Sequence, residues 1–529
     1  MVTTMNIVLI FSWLPQAVYQ ALVWTYWWQD KEYRVDRFRV FFFSNEGRRR
    51  LSLFLITLKF LSIFYFILSG SPSPTLIVFF ISDIYFLNKY LREGLRRPTF
   101  TQRAVKIFAT SIFFIFLAII GIVLFPYSTP IFILLGELSL VFSYHLGTIW
   151  TSRVVNRVRE KETLEARKVL SKVKPTVIGV TGSYGKSTTK DFIAQLLSQK
   201  YKTVKTPGSE NTHFGVVRAV NGLVKESTEF FVVEMGAYTT GEIKNLSEIV
   251  SPNVGVVTGL EVQHLSLFKT FENIKEAKFE LIESLPEGGI AIFNLSNDYC
   301  KELFDKAKVL SKKLKIYGYA VNESHSADIV STPILVDENG VSFWIVFQNE
   351  KKKLFAPIAG LHLLENLTAA ILIARLYKIP WSSIKKACAS IQLPDHTMKT
   401  YSLKNDVIIV DDSRNSTPHA FESALSYLTY FNDRLKIVIT PGIIELGEKS
   451  ELIHRKLGKL MSFGVDKVVL TNSDYYSSIK MGLRDGVYKL VTGDQSKLRA
   501  EVTKVVNEGN CVILIEGRIP SYLSKILNN

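Results

Sequence analysis

The stretch Val177-Ile178-Gly179-Val180-Thr181-Gly182-Ser183-Tyr184-Gly185-Lys186-Ser187-Thr188-Thr189 constrains the fold of this chain more than any other. An apolar run ends in a glycine-bearing turn, and a helical pattern through Phe192, Leu196 and Leu197 follows. A buried strand, a tight loop and a helix are the layout of a phosphate-binding loop. The glycines let backbone N–H groups converge on an anion, and the helix adds its positive N-terminal end. Gly182, Ser183, Gly185, Lys186, Ser187 and Thr188 are therefore candidate ATP-binding residues, with Lys186 reaching the outer phosphates and the Ser187 hydroxyl holding Mg²⁺. The pattern G-x-x-x-x-G-K-[ST] would place a glycine at Val180, but here the glycines stand at 179 and 182. The variant T-G-x-x-G-K-[ST]-[ST] belongs to a narrower set of ATP enzymes.

The chain of 529 residues has room for several domains, and its apolar excess lies in the first 150. Five apolar segments run over 5–28, 51–70, 74–90, 105–125 and 129–150, each read as a membrane helix. The segment 29–50 carries Lys31, Arg34, Arg37, Arg39, Arg48, Arg49 and Arg50. A second basic segment, 89–104, carries Lys89, Arg92, Arg96, Arg97 and Arg103. Arg153, Arg157, Arg159 and Lys161 follow the last apolar segment, whereas the loops 70–74 and 125–130 are uncharged. Alternate loops are thus basic, which predicts a multi-pass protein of the inner cell membrane with its C-terminal part in the cytoplasm. The net charge of +16 is explained by these flanks, so no nucleic-acid partner is expected. Asp83 and Glu137 fall inside apolar segments and read either as functional groups or as bundle-facing polar contacts. Residues 151–173 read as a charged helical linker ended by Pro175, and Cys300, Cys388 and Cys511 match no metal spacing.

Beyond the loop, an apolar strand ends in Glu234, where a carboxylate beside a phosphate loop suits a metal ligand. His264 follows the strand-like run 254–260, Lys278 sits in a helical pattern, and Asn294 follows another strand. His362 and Asn366 lie one helical turn apart and could equally be a structural cap. Taken alone, Lys278 would read as a surface helix lysine and His264 as a loop histidine. The ordered series is more specific. It comprises T-G-S-Y-G-K-S-T-T-K at 181–190, P-G-S-E-N-T-H-F-G at 207–215, V-E-M-G-A at 233–237, G-E-I at 241–243 and H-L at 264–265. It continues with K-E-A-K at 275–278, G-L-H-L-L-E-N at 360–366, D-D-S-R-N-S-T-P at 411–418 and I-E-L-G-E at 444–448. Over 174–529 this series resembles the Mur ligase family, and most of all those members that add a dipeptide to a muramoyl tripeptide.

The apolar segments and charges give an N-terminal α-helical membrane bundle at 1–150 and the linker at 151–173, and the resemblance implies a central α/β ATP-binding domain at 174–394 and a Rossmann-like C-terminal α/β domain at 395–529. It implies a site with two Mg²⁺ ions, held by Ser187, Glu234, His264 and a carbamylated Lys278. Lys186, Lys278 and His264 would be catalytic. Asn294, His362, Asn366 and Asp412 would contact ATP, and Asn211, Asn415 and Glu445 would contact substrate. The implied reaction is amide-bond formation: a carboxylate is activated as an acyl phosphate and then attacked by the amine of an amino acid or dipeptide, in cell-wall peptidoglycan precursor synthesis. Three departures bear on substrate. Apolar segments replace the family's UDP-sugar domain, so the carboxylate-bearing envelope precursor is UDP-linked or lipid-linked, with the lipid bilayer as a further partner. The family's Gly-Arg near the C-terminal domain boundary reads Pro394-Asp-His-Thr-Met398 here, with Lys399 the nearest replacement cation. Arg414 stands for a family tyrosine, and Glu516-Gly517-Arg518 for Lys-Gly-Ser. A ligase extending an amino-acid polymer, of the poly-γ-glutamate kind, and a non-catalytic nucleotide-binding envelope scaffold are the competing readings. An ATP-driven transporter would need a second ATPase signature that the sequence lacks.

Overall fold

The computed structural model describes residues 2–527 except 44–46, 49–50, 94–96, 262–264, 323–325, 415, 445, 447–448 and 484–488. The chain divides into two units, Met1–Glu160 and Lys161–Asn529, and the division falls within one helix, Thr129–Val173.

In the first unit every apolar segment is helical: Val2–Asp30, Leu53–Ser69, Ser73–Glu93, Gln102–Leu124 and the start of Thr129–Val173. Among the described residues two helices are long and apolar enough to cross a membrane, Ile7–Asp30 and Gln102–Leu124. A pair bent by 43°, Pro126–Leu140 with Phe142–Val173, makes a third if it counts as one span. The other two expected spans fall short for separate reasons. Leu53–Ser69 has only 17 residues, and Ser73–Glu93 carries Asp83, Lys89, Arg92 and Glu93.

Leu9, Trp13, Ala17 and Ala21 recur every four residues and so share one helix face. That face packs against Ile63, Phe79, Ile115, Ile122 and Leu140, while Phe11, Phe54 and Phe116 point outward. The interior is polar at two places. Glu137 accepts a hydrogen bond from Trp13 Nε1 at 3.0 Å and pairs with Lys59 Nζ at 3.5 Å, both charges being almost fully buried. Asp83 accepts from Ser12 Oγ at 2.8 Å and from Gln16 Nε2 at 2.7 Å. Both carboxylates are therefore bundle-facing polar contacts.

The second unit holds two sheets. In the first, β1 (Thr176–Thr181), β2 (Thr203–Lys205), β3 (Phe230–Glu234), β4 (Val254–Val257), β5 (Ile290–Asn294), β6 (Lys315–Val321), β7 (Ile329–Asp337), β8 (Gly340–Phe347) and β9 (Glu350–Ala356) lie in the order β2-β3-β1-β4-β5-β6-β7-β8-β9. Pairing is parallel from β2 to β7, and β7, β8 and β9 form an antiparallel meander. The second sheet has β10 (Lys399–Leu403), β11 (Val407–Asp412), β12 (Leu435–Thr440), β13 (Lys467–Leu470), β14 (Lys489–Val491) and β15 (Cys511–Glu516) in the order β10-β11-β15-β12-β13-β14. Only β10 runs antiparallel to its neighbour there.

The strand order reverses at β1, with β3 on one side and β4 on the other, so the loop after β1 sits at a switch point where α/β sheets bind ligands. The sheet is covered on both faces. Phe192, Ile193 and Leu196 of the loop helix pack with the helix Leu361–Leu376 on one side. Val216, Val220, Ile243, Leu246 and Leu281 pack on the other. The linker expected at 151–173 is the continuous end of Thr129–Val173, and the chain turns at Lys174 with φ 52°, just before Pro175. All three cysteines are buried and free.

Glu137→Ala leaves Lys59 buried and unpaired, so it should destabilise the helical unit by about 3–5 kcal/mol. The double variant Lys59→Met with Glu137→Leu should cost markedly less. Thermal unfolding of the detergent-solubilised protein measures both.

Candidate active site

The phosphate loop is fixed by close backbone approach. Gly185 has φ +75°, and a Cβ there would stand 2.5 Å from Asn366 Oδ1. A Cβ on Gly182 would stand 2.2 Å from Thr258 Oγ1. The end of β4 pins the loop: Ser183 N donates to Gly259 O at 2.7 Å, Ser183 Oγ donates to Glu261 O at 3.0 Å, and Thr258 Oγ1 donates to Tyr184 O. Lys186 Nζ bridges the loop by donating to Gly182 O at 2.8 Å and Ser183 O at 3.0 Å. Burial lowers the Lys186 pKa, and Glu234 opposes that shift.

Glu234 ends β3 one strand from the loop, in register with Val180. Its side chain is 1 % exposed; it accepts from Asn211 Nδ2 at 2.8 Å and pairs with Lys190 Nζ at 3.3 Å. Lys190 also donates to Gly208 O, so a fully buried ammonium ties the loop helix to the 207–211 turn. The sequence displays this lysine inside the 181–190 motif, but its position on the inward face of the helix was the only signal of its importance.

Asn366 Oδ1 accepts from Thr189 Oγ1 at 3.1 Å, which locks Leu361–Leu376 to the loop helix. His362 Nδ1 is buried and, among the described residues, unpartnered; burial and then His419 push its pKa down to about 3, so the ring is neutral. Asn294 donates to Thr258 O and Glu365 Oε2, each at 2.8 Å, and is fully buried behind the loop. Burial raises Glu365 to about 7.

Lys278 is buried on the helix Phe271–Glu283, with its ammonium 5.6 Å from the Phe268 ring centroid. Burial, followed by the charge of Lys186, lowers its pKa to about 7. It is therefore no surface lysine, and its burial favours the neutral amine.

The second sheet brings its own acids. Asp412 and Glu516 pair in register at the C-terminal ends of β11 and β15, and both are buried. Burial raises both; the charge of Asp411 adds to the rise at Asp412, which a hydrogen bond with Glu516 opposes, and the charge of Asp412 adds to the rise at Glu516. Ser416 Oγ donates to Glu516 Oε1 at 2.6 Å. Lys399 turns away from the site: it is more than half exposed and pairs with Asp395 at 3.2 Å.

A cavity of about 210 Å³ gathers these groups. Of the residues expected from sequence, Ser183, Gly185, Lys186, Ser187, Thr188, Asn211, Glu234, His362, Asn366 and Asp412 line it. Gly182, Asn294 and Lys278 are not among its lining residues, and His264, Asn415 and Glu445 lie outside the described residues. Tyr184, Arg414, Thr417 and His419 also line it and had no assigned role. The Tyr184 ring lies 4.8 Å from the His419 ring. His419 N donates to the Glu261 carboxylate at 3.1 Å, joining the helix Pro418–Leu428 to the loop after β4. Burial raises Glu261 to about 7. Among the described residues no group of three or more His, Cys, Asp or Glu could hold a metal alone. A hydroxyl and one buried carboxylate beside a phosphate loop do suit an ion whose other ligands are phosphate oxygens and water.

Residues 180–374 match the family described as Mur ligase middle domain. The chain is 29 % identical over 298 residues to the UDP-N-acetylmuramoyl-tripeptide–D-alanyl-D-alanine ligase of Bacillus subtilis, covering 56 % of this chain and 62 % of that one. It is 25 % identical over 362 residues to the ligase of the same name from Buchnera aphidicola subsp. Acyrthosiphon pisum, covering 68 % and 78 %. Among solved structures, the MurF ligase of Thermotoga maritima in complex with ADP superposes with a TM-score of 0.60 at 25 % identity, covering 70 % of this chain and 82 % of that one. MurF from Acinetobacter baumannii gives 0.63 at 23 % identity, over 70 % and 80 %. The segment 180–374 thus matches the Mur ligase middle domain, in a chain that shares its fold with the MurF structures.

Proposed function

We propose that this protein is an ATP-dependent amide ligase that activates a substrate carboxylate as an acyl phosphate and joins it to the amine of an amino acid or dipeptide, in peptidoglycan precursor synthesis. The observation that carries this reading is the composition of one cavity wall: Lys186, Ser187 and Glu234 come from the first sheet's domain, and Asp412 and Thr417 from the second's. The curated relatives are named as ligases that join D-alanyl-D-alanine to UDP-N-acetylmuramoyl-tripeptide, and one solved neighbour holds ADP.

Backbone N–H groups of the loop and the Lys186 ammonium hold the outer phosphates as the carboxylate attacks the γ-phosphorus and ADP leaves, offsetting charge gathered on the transferred group. Ser187 and Glu234 would hold Mg²⁺, which supplies further charge neutralisation. The Lys190 ammonium, now on Glu234, is 44 residues away in sequence yet sets how much negative charge Glu234 offers to that ion. The amine then attacks the acyl carbon and phosphate leaves. Tyr184, His419 and Glu261, which join the two domains over the loop, keep water from the acyl phosphate.

The buried Lys278 supports a carbamate. Only a neutral amine takes up CO₂, and burial provides one. The resulting anion would support a second ion, with His264 as its partner ligand. The lowered pKa fixes the pH sense: the unfolded lysine stays protonated up to its ordinary 10.5, whereas the folded one releases its proton near 7. Neutral amine, and with it carbamate, therefore increases from about pH 6 to about pH 8.

The apolar helices and alternating basic loops support a multi-pass protein of the inner membrane with its ligase part in the cytoplasm, and a UDP- or lipid-linked precursor as the carboxylate substrate. His362, Asn366, Asn294 and Asp412 would frame the nucleotide, and Asn211, Asn415 and Glu445 the substrate. Retention of Lys186, Glu234 and Lys278 in one region disfavours a non-catalytic scaffold. Polymer extension uses the same chemistry and differs only in the acceptor.

Lys186→Ala and Lys278→Ala should each lower ATP-dependent phosphate release by at least about 1,000-fold. Added short-chain carboxylic acid should partly restore Lys278→Ala alone; full activity of that variant without the acid would refute the carbamate. A reporter fused after Thr151 should read cytoplasmic, and an external signal there would refute the orientation.

A further inference from the structure

Arg414 brings a second cation into the phosphate-loop cavity, lining it with Lys186, Ser187 and Glu234. The residue follows β11, so it belongs to the other domain. Its Nε donates to Ser209 Oγ at 2.9 Å, and Nη2 donates to the same hydroxyl. A hydroxyl is neutral. Among the described residues no carboxylate lies within ion-pairing distance of this guanidinium. A guanidinium has five N–H donors, so most of them stay available. Such a group, on a phosphate-loop cavity and without a counter-charge, is suited to a phosphoryl oxygen.

Its position is built rather than incidental. Arg414 N donates to His396 O at 3.0 Å, His396 Nδ1 lies 2.7 Å from Asp411 Oδ2, and Met398 N donates to Asp412 Oδ1 at 3.2 Å. The turn after β11 is thereby fastened to the segment 394–398. Lys399, the alternative cation of that segment, is exposed and already paired with Asp395.

We propose that Arg414 is a catalytic residue that leaves Ser209 to bind the outer phosphoryl group of ATP, so that the C-terminal domain contributes a cation only when it is closed over the loop. This rests on the ATP-ligase reading above. The Lys186 ammonium cannot replace it, because a point charge on a flexible stem lacks the planar fork that grips two oxygens.

The test uses the full chain in detergent micelles with Mg²⁺, measuring binding of fluorescent ADP alone and of the same ADP with beryllium fluoride, which mimics the outer phosphoryl group. Arg414→Gln should weaken the beryllium fluoride complex by about 10- to 100-fold and ADP alone by less than about threefold. Arg414→Lys should recover part of the loss, and Lys399→Gln should bind both as the wild type does. Equal binding of both ligands by Arg414→Gln and the wild type, or an equal loss for both ligands, overturns the assignment to the outer phosphoryl group. Failure of the wild type to bind either ligand overturns the ATP reading itself, and this proposal with it.

Discussion

The second unit's cavity depends on how the loop after β1 is held. A loop that aims several N–H groups at one point must keep its carbonyls satisfied elsewhere, and a free loop would not hold that shape. Here Thr258, Gly259 and Glu261 at the end of β4 take up the loop's backbone and Ser183, while Lys186 spans its carbonyls. Asn366 approaches Gly185 so closely that a side chain there is excluded. The loop's geometry is thus fixed by the strand beside it and by a helix whose Asn366 lies 177 residues beyond Thr189.

The same arrangement explains the perturbed acids and bases. Sheet ends that converge on one cavity place Glu234 and Asp412 on its wall, and Glu261 and Glu365 lie buried near it. Burial raises Glu261, Glu365 and Asp412, and burial lowers Lys278. Lys190 answers the problem at Glu234 with a fully buried counter-charge. A site poised between protonation states and held by two domains is suited to chemistry in which charge builds on a phosphoryl group and water must be kept out.

How much of this was legible in the sequence varies with the range of the interaction. The strand–loop–helix at 176–197, Glu234 at a strand end, and His362 with Asn366 on a helix start all follow from local patterning, and the structure has each of them. The antiparallel meander β7–β9 and the outer strands β10 and β14 were not foreseen, since short strands at sheet margins carry weak periodicity. The polar closure of the loop was equally hidden. Tyr184 meets His419 and Arg414 meets Ser209 across more than 200 residues, and no spacing rule reaches that far. In the helical unit, apolar length alone suggested five spans. The charges within Ser73–Glu93 and the shortness of Leu53–Ser69 leave two, or three with the bent pair, that meet both length and composition.

The central claim is that a carboxylate oxygen passes to phosphorus on this loop. Turnover of UDP-N-acetylmuramoyl-tripeptide, ¹⁸O-labelled in its terminal carboxylate, with ATP and D-alanyl-D-alanine tests it most directly. The account predicts that the inorganic phosphate released carries one ¹⁸O atom per amide bond formed, as seen by mass spectrometry. Amide formation with unlabelled phosphate would contradict it.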